Sequence, residues 1–360
     1  RKLQMGRNKP TITEVARAAG LSPATVSRAL NHPEKVNIKT AELIQSTIKS
    51  LNYVPKSDAA DSGQNKLIMI NIAEISNLFY EQIISGIVSS ARFHNYHIII
   101  NQDQFDTPQA MQYLISQIRT FGVNGMILCT PLREEQYWQI SHHVPLVQCC
   151  EYNSENFPYV GIDDQKSTFM AMEYIYSLGK KKTAFINGPL SYNYAVKRQE
   201  AFLAFLSRTG LPTFSGQITN LPKINYDMAY ASIRQMLASD NRPDSIFAAS
   251  DVFAVAAIKA CDYYGIKVPD DIIVVGFDNV LLSTISTPSI TTVSQPRFQM
   301  GYTAGELLYE SITVTKPQPP KHIILDTELI IRDSSSVNAK AIRNIPTFTN
   351  SVDKGGKDDQ

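Results

Sequence analysis

No apolar run in these 360 residues reaches the length of a membrane span, and the first residues contain no secretory h-region. The expectation is a cytoplasmic chain with no membrane partner. Cysteine is scarce. Cys129, Cys149, Cys150 and Cys261 show neither CxxC spacing nor a Cys/His ligand pattern, which excludes a disulfide framework or zinc module and reads as buried thiols in a reducing compartment. The neighbouring pair Cys149–Cys150 is the one hint of redox sensitivity. His94, His97, His142 and His143 cluster without metal-ligand spacing. GxSxG, HExxH and GxGxxG are all missing. The run GKKKT at 179–183 imitates part of a phosphate loop, but it lacks the upstream glycine and precedes a strand where a phosphate loop would follow one. These absences argue against an enzyme, and no cofactor or metal is expected.

Large net charge is missing too: the chain carries +1 overall, with 43% hydrophobic and 19% charged residues, a globular composition. The balance hides an asymmetry. Residues 1–56 hold ten basic side chains against three acidic ones, a surplus of seven, so the remainder carries −6. A basic head on an acidic body is the electrostatic footprint of nucleic-acid binding.

The head also has a pattern. TITEVARAAGLSPATVSRALN, Thr11 to Asn31, reads as two short helices joined at Gly20. Thr11 and Glu14 stand at capping-box spacing, and Ile12, Val15, Ala16 and Ala19 form one apolar face. Gly20 suits a left-handed helix end. Ser22 can cap the second helix, with Pro23 at its first position. That helix presents Ala24, Thr25, Ser27 and Arg28, a surface slim enough for a DNA major groove. A third helix follows Asn37 as cap, with Ala41, Leu43, Ile44, Ile48 and Leu51 as apolar positions.

From Leu67 the texture alternates between short apolar runs fit for buried parallel strands and amphipathic helices. LIMINI, YHIIIN, GMILC and PLVQ alternate with helices near 79–93, 108–119 and around Trp138; TAFIN, SIFAA and IIVVGF alternate with helices near 165–178, 195–207, 226–238 and 252–264. Two tandem α/β units of doubly wound type predict a bilobed body, with ligands at strand carboxyl ends in the cleft. At those ends, or on the helices that follow them, lie Phe79, Tyr80, Arg198, Ser250, Asp251 and Asp278. A carboxylate accepts and a guanidinium donates in a fixed fork, which suits a hydroxyl-rich ligand, and aromatic faces suit a sugar or base. Tyr80 reads equally as core or cleft, and Asp251 reads first as a helix cap.

VARAAGLSPATVSRALN, with a third helix ending LNYVP, resembles the LacI/GalR family of bacterial transcriptional regulators, and the likeness runs to about residue 334. ATVSRAL, EKV, SDV, GIKVPDDI, GFDN, TTVSQPR and ELIIR are closest in texture to the cytidine-repressor subgroup. The resemblance implies a helix–turn–helix head (1–56), a hinge (57–66) and a periplasmic-binding-protein-like body. In that body 67–161 and 293–325 form one lobe and 162–292 and 326–334 the other; residues 335–360 are expected to be a disordered tail. Pro23, Ala24 and Arg28 would read bases; Ser22, Thr25, Ser27, Asn31 and Tyr53 would hold phosphates; the caps Thr11 and Asn37 complete the DNA-binding set. Arg198 and Asp278 match effector positions of the family, and Cys150, Tyr192 and Tyr194 fall on its pocket loop. At those three the residue types depart from the purine repressor, so its ligand does not transfer. Ile224 falls where some members have an aromatic wall.

In most relatives the hinge wedges a leucine into the minor groove, kinking the duplex. Here Ser62 takes that position, Ala60 replaces an arginine, and Asp58 and Asp61 add negative charge, which predicts a tether. The implied function is a homodimeric, ligand-responsive repressor on a palindromic operator, with a nucleoside or sugar as effector. The rival is a solute receptor without a DNA role.

Overall fold

The computed structural model describes residues 11–23, 25–26, 29, 37–51, 66–239, 241–314 and 318–336, with backbone alone at 12, 38, 39, 41, 42, 45 and 49. Residues 1–64 and 65–360 form two separate compact units.

In the head, α1 (Ile12–Ala18) begins at a complete capping box. The Glu14 N–H bonds the Thr11 hydroxyl, and the Glu14 side chain accepts from the Thr11 N–H at 2.6 Å. Gly20 takes φ +67°, the left-handed conformation expected there. Ser22 caps the next turn: the Thr25 N–H donates to its Oγ at 3.1 Å. A second long helix, α2 (Ile38–Leu51), completes a core of Val15, Ala16, Val26 and Ile44, supported by Leu21, Ala29, Ile48 and Leu51. Leu43, expected in that core, is 47% exposed: Ile44, one position on, occupies the inward face of α2.

The body contains two six-stranded sheets. The first comprises β1 (Leu67–Asn71), β2 (His97–Asn101), β3 (Val123–Leu128), β4 (Leu146–Cys149), β5 (Tyr159–Ile162) and β11 (His322–Leu325), ordered β11-β5-β4-β3-β1-β2 and wholly parallel. The second comprises β6 (Thr183–Asn187), β7 (Ile218–Asn220), β8 (Ser245–Ala248), β9 (Ile273–Asp278), β10 (Thr291–Ser294) and β12 (Glu328–Ile330), ordered β12-β10-β9-β8-β6-β7. Only β12 runs antiparallel, against β10. Strands such as IVVGFD are buried throughout, as a sheet covered on both faces requires.

Helices α3 (Tyr80–Phe93), α4 (Pro108–Phe121) and α5 (Glu134–Ser141) follow strands of the first sheet; α6 (Asp164–Ser177), α7 (Asn193–Thr209), α8 (Tyr226–Leu237), α9 (Asp251–Tyr263) and the short α10 (Leu281–Ile285) accompany the second. The periodicity reading missed α10, α11 (Arg297–Thr313) and the short strands β5, β7, β10, β11 and β12, each only three or four residues long. Helix α11 packs closely on α3: a Cβ at Gly301 would collide with the Ile83 carbonyl oxygen. Strand β10 stays in the second sheet to Ser294, two residues past the expected return, and the next helix, α11, lies against the first sheet's α3. The expected tail starts later than residue 335. Ser335 is buried, and its hydroxyl pairs with those of Thr291 at 2.6 Å and Tyr174 at 2.8 Å. From residue 337 on that tail lies outside the described residues, as does most of the hinge.

Candidate functional site

In a doubly wound sheet the strand carboxyl ends share one edge, so the residues just past them meet at the mouth. Here the mouths of both sheets line one cavity of about 340 Å³, within the range of small-ligand sites. All eight expected effector residues line it: Phe79, Tyr80 and Cys150 beside the first sheet, and Tyr192, Tyr194, Arg198, Ser250 and Asp278 beside the second. Ile224 is also in the wall.

Arg198, on the first turns of α7, is almost wholly buried. Its Nε donates to Asp164 Oδ1 at 2.7 Å and its Nη1 to the Ala249 carbonyl at 2.9 Å. The guanidinium lies 3.5 Å from the Phe277 ring centroid and 4.7 Å from that of Tyr194, so cation–π contact and the fork geometry both fix it. Asp278 ends β9 at φ +106°, a strained conformation for a non-glycine residue, and accepts from Gln295 Nε2 at 2.8 Å. Burial pushes its carboxyl up to about 6 despite Arg198 and Arg297 nearby.

Ser250, not Asp251, caps α9: its Oγ accepts from the Val252 N–H at 3.3 Å. Asp251 is the first helical residue, fully buried and absent from the cavity wall; it accepts from Thr292 Oγ1 at 2.7 Å and the Val280 N–H at 2.8 Å. Tyr80 is both core and cleft, being buried while it lines the cavity.

Glu151, Asp164 and Gln295 also line the cavity and were missed. Glu151 follows the thiol pair after β4; its oxygens accept the N–H groups of Asn193 at 2.9 Å and Tyr194 at 3.0 Å, and burial pushes its carboxyl up to about 7. Asp164 follows β5, whose four residues gave no periodic signal; the visible clue was the pair Asp163–Asp164 ahead of an amphipathic run. Tyr152 adds to the join between lobes: Asn193 Nδ2 donates to its carbonyl at 2.8 Å, and Lys197 Nζ lies 4.3 Å from its ring centroid.

Three thiols cluster beside the cavity, and hydrogen bonds from Cys129 and Cys150 lower the Cys149 thiol to about 5. Cys129 and Cys149 are fully buried, and burial raises the Cys150 thiol well above its ordinary range. No group of three or more His, Cys, Asp or Glu among the described residues is arranged to hold a metal ion.

In the head, Thr11, Ser22, Pro23, Thr25 and Asn37 are described, whereas Ala24, Ser27, Arg28, Asn31 and Tyr53 lie outside the described residues. The Thr11 hydroxyl is occupied by the capping box, and those of Ser22 and Thr25 pair at 2.8 Å.

Comparison with known proteins gives two family matches: "Bacterial regulatory proteins, lacI family" over residues 11–56 and "Periplasmic binding protein-like domain" over residues 172–335. The ribose operon repressor of Halalkalibacterium halodurans is 31% identical over 90% of this chain and 97% of its own length. The HTH-type transcriptional repressor CytR of Escherichia coli K12 is 29% identical over 90% of this chain and 96% of its own. Among solved structures, a lac repressor dimer bound to operator and an anti-inducer superposes with TM-score 0.72 at 23% identity, covering 91% of this chain and 99% of that one. At that identity it supports the fold alone.

Proposed function

The chain belongs to the LacI family of bacterial regulatory proteins, and on that premise we propose how its parts divide the work of a ligand-responsive DNA-binding regulator. The head binds operator DNA through Thr11, Ser22, Pro23, Ala24, Thr25, Ser27, Arg28, Asn31, Asn37 and Tyr53. The hydroxyls and helix ends hold phosphates, and Pro23, Ala24 and Arg28 face base edges. The two sheets of the body are the lobes, and the cavity between their strand ends takes a small hydroxyl-rich effector, a sugar or nucleoside. The observation that carries this reading is the convergence of Arg198, Asp278, Tyr192 and Tyr194 with Phe79, Tyr80 and Cys150 on one cavity. The fork of Arg198 and the carboxylate of Asp278 supply a donor and an acceptor for vicinal hydroxyls, and the rings supply flat faces.

The effector acts by binding the lobe arrangements unequally, since equal affinity would leave DNA binding unchanged. Two heads joined through their bodies bind a palindromic operator far more tightly than one, because the second contact is intramolecular. The protein therefore works as a cytoplasmic homodimer and has no catalytic role. A solute receptor without a DNA role is disfavoured by the head's own match to the regulatory family.

The test is a thermal-shift screen of nucleosides, purines and sugars, followed by operator gel shifts with each hit. A compound that binds the native state raises the melting temperature, and the same compound should change operator affinity. Hits that survive both Asp278→Ala and Arg198→Ala undiminished would remove the effector from this cavity.

A further inference from the structure

Among the described residues, six charged side chains are almost wholly buried: Glu151, Asp164, Asp251 and Asp278 against Arg198 and Arg297. Four of the six line the cleft, and the other two lie behind its wall. Glu151, Asp164, Asp278 and Arg198 line it, while Asp251 and Arg297 act electrostatically on or beside Asp278. With every acid ionised, four carboxylates against two guanidinium groups would leave a surplus of two negative charges. Buried charge without a counter-charge is costly, so such a surplus calls for a proton or a cation.

The two arginines are largely committed. Arg198 bonds Asp164 and the Ala249 carbonyl; Arg297 donates to the carbonyls of Leu78, Phe79 and Asn279. At the rim Glu74 and Lys223 offset each other. Asp164 is 3% exposed and lines the cavity, and only its Oδ1 accepts from Arg198, which leaves Oδ2 open to a donor in the cleft. The rings of Phe79, Tyr80, Tyr192 and Tyr194 surround the same space, and aromatic faces stabilise an ammonium group. A metal ion does not fit, because the acids do not converge as ligands of one.

Resting on the effector reading above, we propose that the effector is a sugar bearing a free, protonated amine, held by Asp164, Asp278 and Glu151 against the aromatic wall. The ammonium supplies the missing positive charge, and the hydroxyls engage Arg198 and Gln295. Neutral sugars of the same shape leave the carboxylates uncompensated and bind more weakly.

The experiment is isothermal titration of the full chain at pH 7 with two matched sets: glucosamine, glucose and N-acetylglucosamine; galactosamine, galactose and N-acetylgalactosamine. In at least one set the free amine should bind tenfold or more tightly than both neutral members. Asp278→Asn and Glu151→Gln keep shape and an acceptor oxygen; with melting curves confirming folding, each should reduce that advantage to below threefold. Neutral members that bind as well as the amines overturn the amine assignment while leaving the cleft an effector site. An amine advantage untouched by both variants overturns the assignment of the amine to these carboxylates, while the effector reading then rests on the wider screen. No binding by any amine also overturns the amine assignment, and the effector reading then rests on the wider screen.

Discussion

Glu151 caps a helix it does not belong to: its two carboxylate oxygens accept the backbone N–H groups of Asn193 and Tyr194, the first two residues of α7. Helix α7 has no side-chain cap of its own, since Tyr192 occupies the cap position. A carboxylate there satisfies orphan donors and meets the positive end of the helix dipole. Because Glu151 follows a strand of the first sheet and α7 follows one of the second, the contact joins the two lobes.

That clasp predicts a pH dependence. Burial raises Glu151 to about 7 and Asp278 to about 6, so the folded state holds their protons more tightly than the unfolded chain does. Their cost is therefore absent at low pH, grows as pH rises through about 4, and is complete above about 7. It is on the order of 3 kcal/mol for each group. Thermal melts of the effector-free protein from pH 5 to pH 8 should show falling stability, with Glu151→Gln flattening the slope. A Glu151→Gln profile that tracks the unmodified protein would contradict this.

Arg198 should be hard to replace. Removing it strands Asp164, so Arg198→Ala should destabilise the body by about 3–5 kcal/mol, the usual cost of breaking a buried pair. Arg198→Lys should fold better but fail to restore effector binding, because an ammonium cannot bond Asp164 and the Ala249 carbonyl in the same fork. Urea melts and effector titrations on both variants separate the two effects.

At the head, Thr11 serves the helix end through its hydroxyl. Thr11→Ala should cost about 1 kcal/mol of head stability and weaken operator binding in proportion. Thr11→Ser, which keeps the hydroxyl, should recover most of both in gel shifts and melts. Full recovery of stability without recovery of operator binding would point to an apolar contact of the threonine methyl with the DNA instead.

The hinge composition bears on operator geometry. Ser62 in place of a leucine, with Asp58 and Asp61 nearby, disfavours a minor-groove wedge. Operators with half-sites moved apart by two or three base pairs should lose less than about tenfold in affinity, whereas a rigid pair of heads would tolerate only one spacing. Steep loss at every altered spacing would overturn the tether.

Much of this was readable from residue order. Periodicity put Asp278 at a strand end and Arg198 on the helix that follows one, and strand ends of a doubly wound sheet share one mouth, so the candidates met. What was missed has a common cause. Asp164 and Gln295 follow β5 (YVGI) and β10 (TTVS), where a glycine and three hydroxyl residues interrupt the apolar run that marked the other short strands, and Glu151 was hidden behind the more conspicuous Cys149–Cys150. Leu43 was misplaced because a helix face tolerates a one-residue error in register only at its edge.

Local chemistry set the head and the alternation of the body. Caps, a glycine turn, charge surplus and hydrophobic period act within a few residues of the chain, so order alone carries them. The charge balance of the cleft was not local. Glu151, Asp164, Asp251, Asp278, Arg198 and Arg297 are scattered over 147 positions, from 151 to 297, and Glu151, Asp164 and Arg297 each look alone like an ordinary surface charge. Only folding removes them from water together, and desolvation then makes these carboxyls hold their protons more tightly than they would in water.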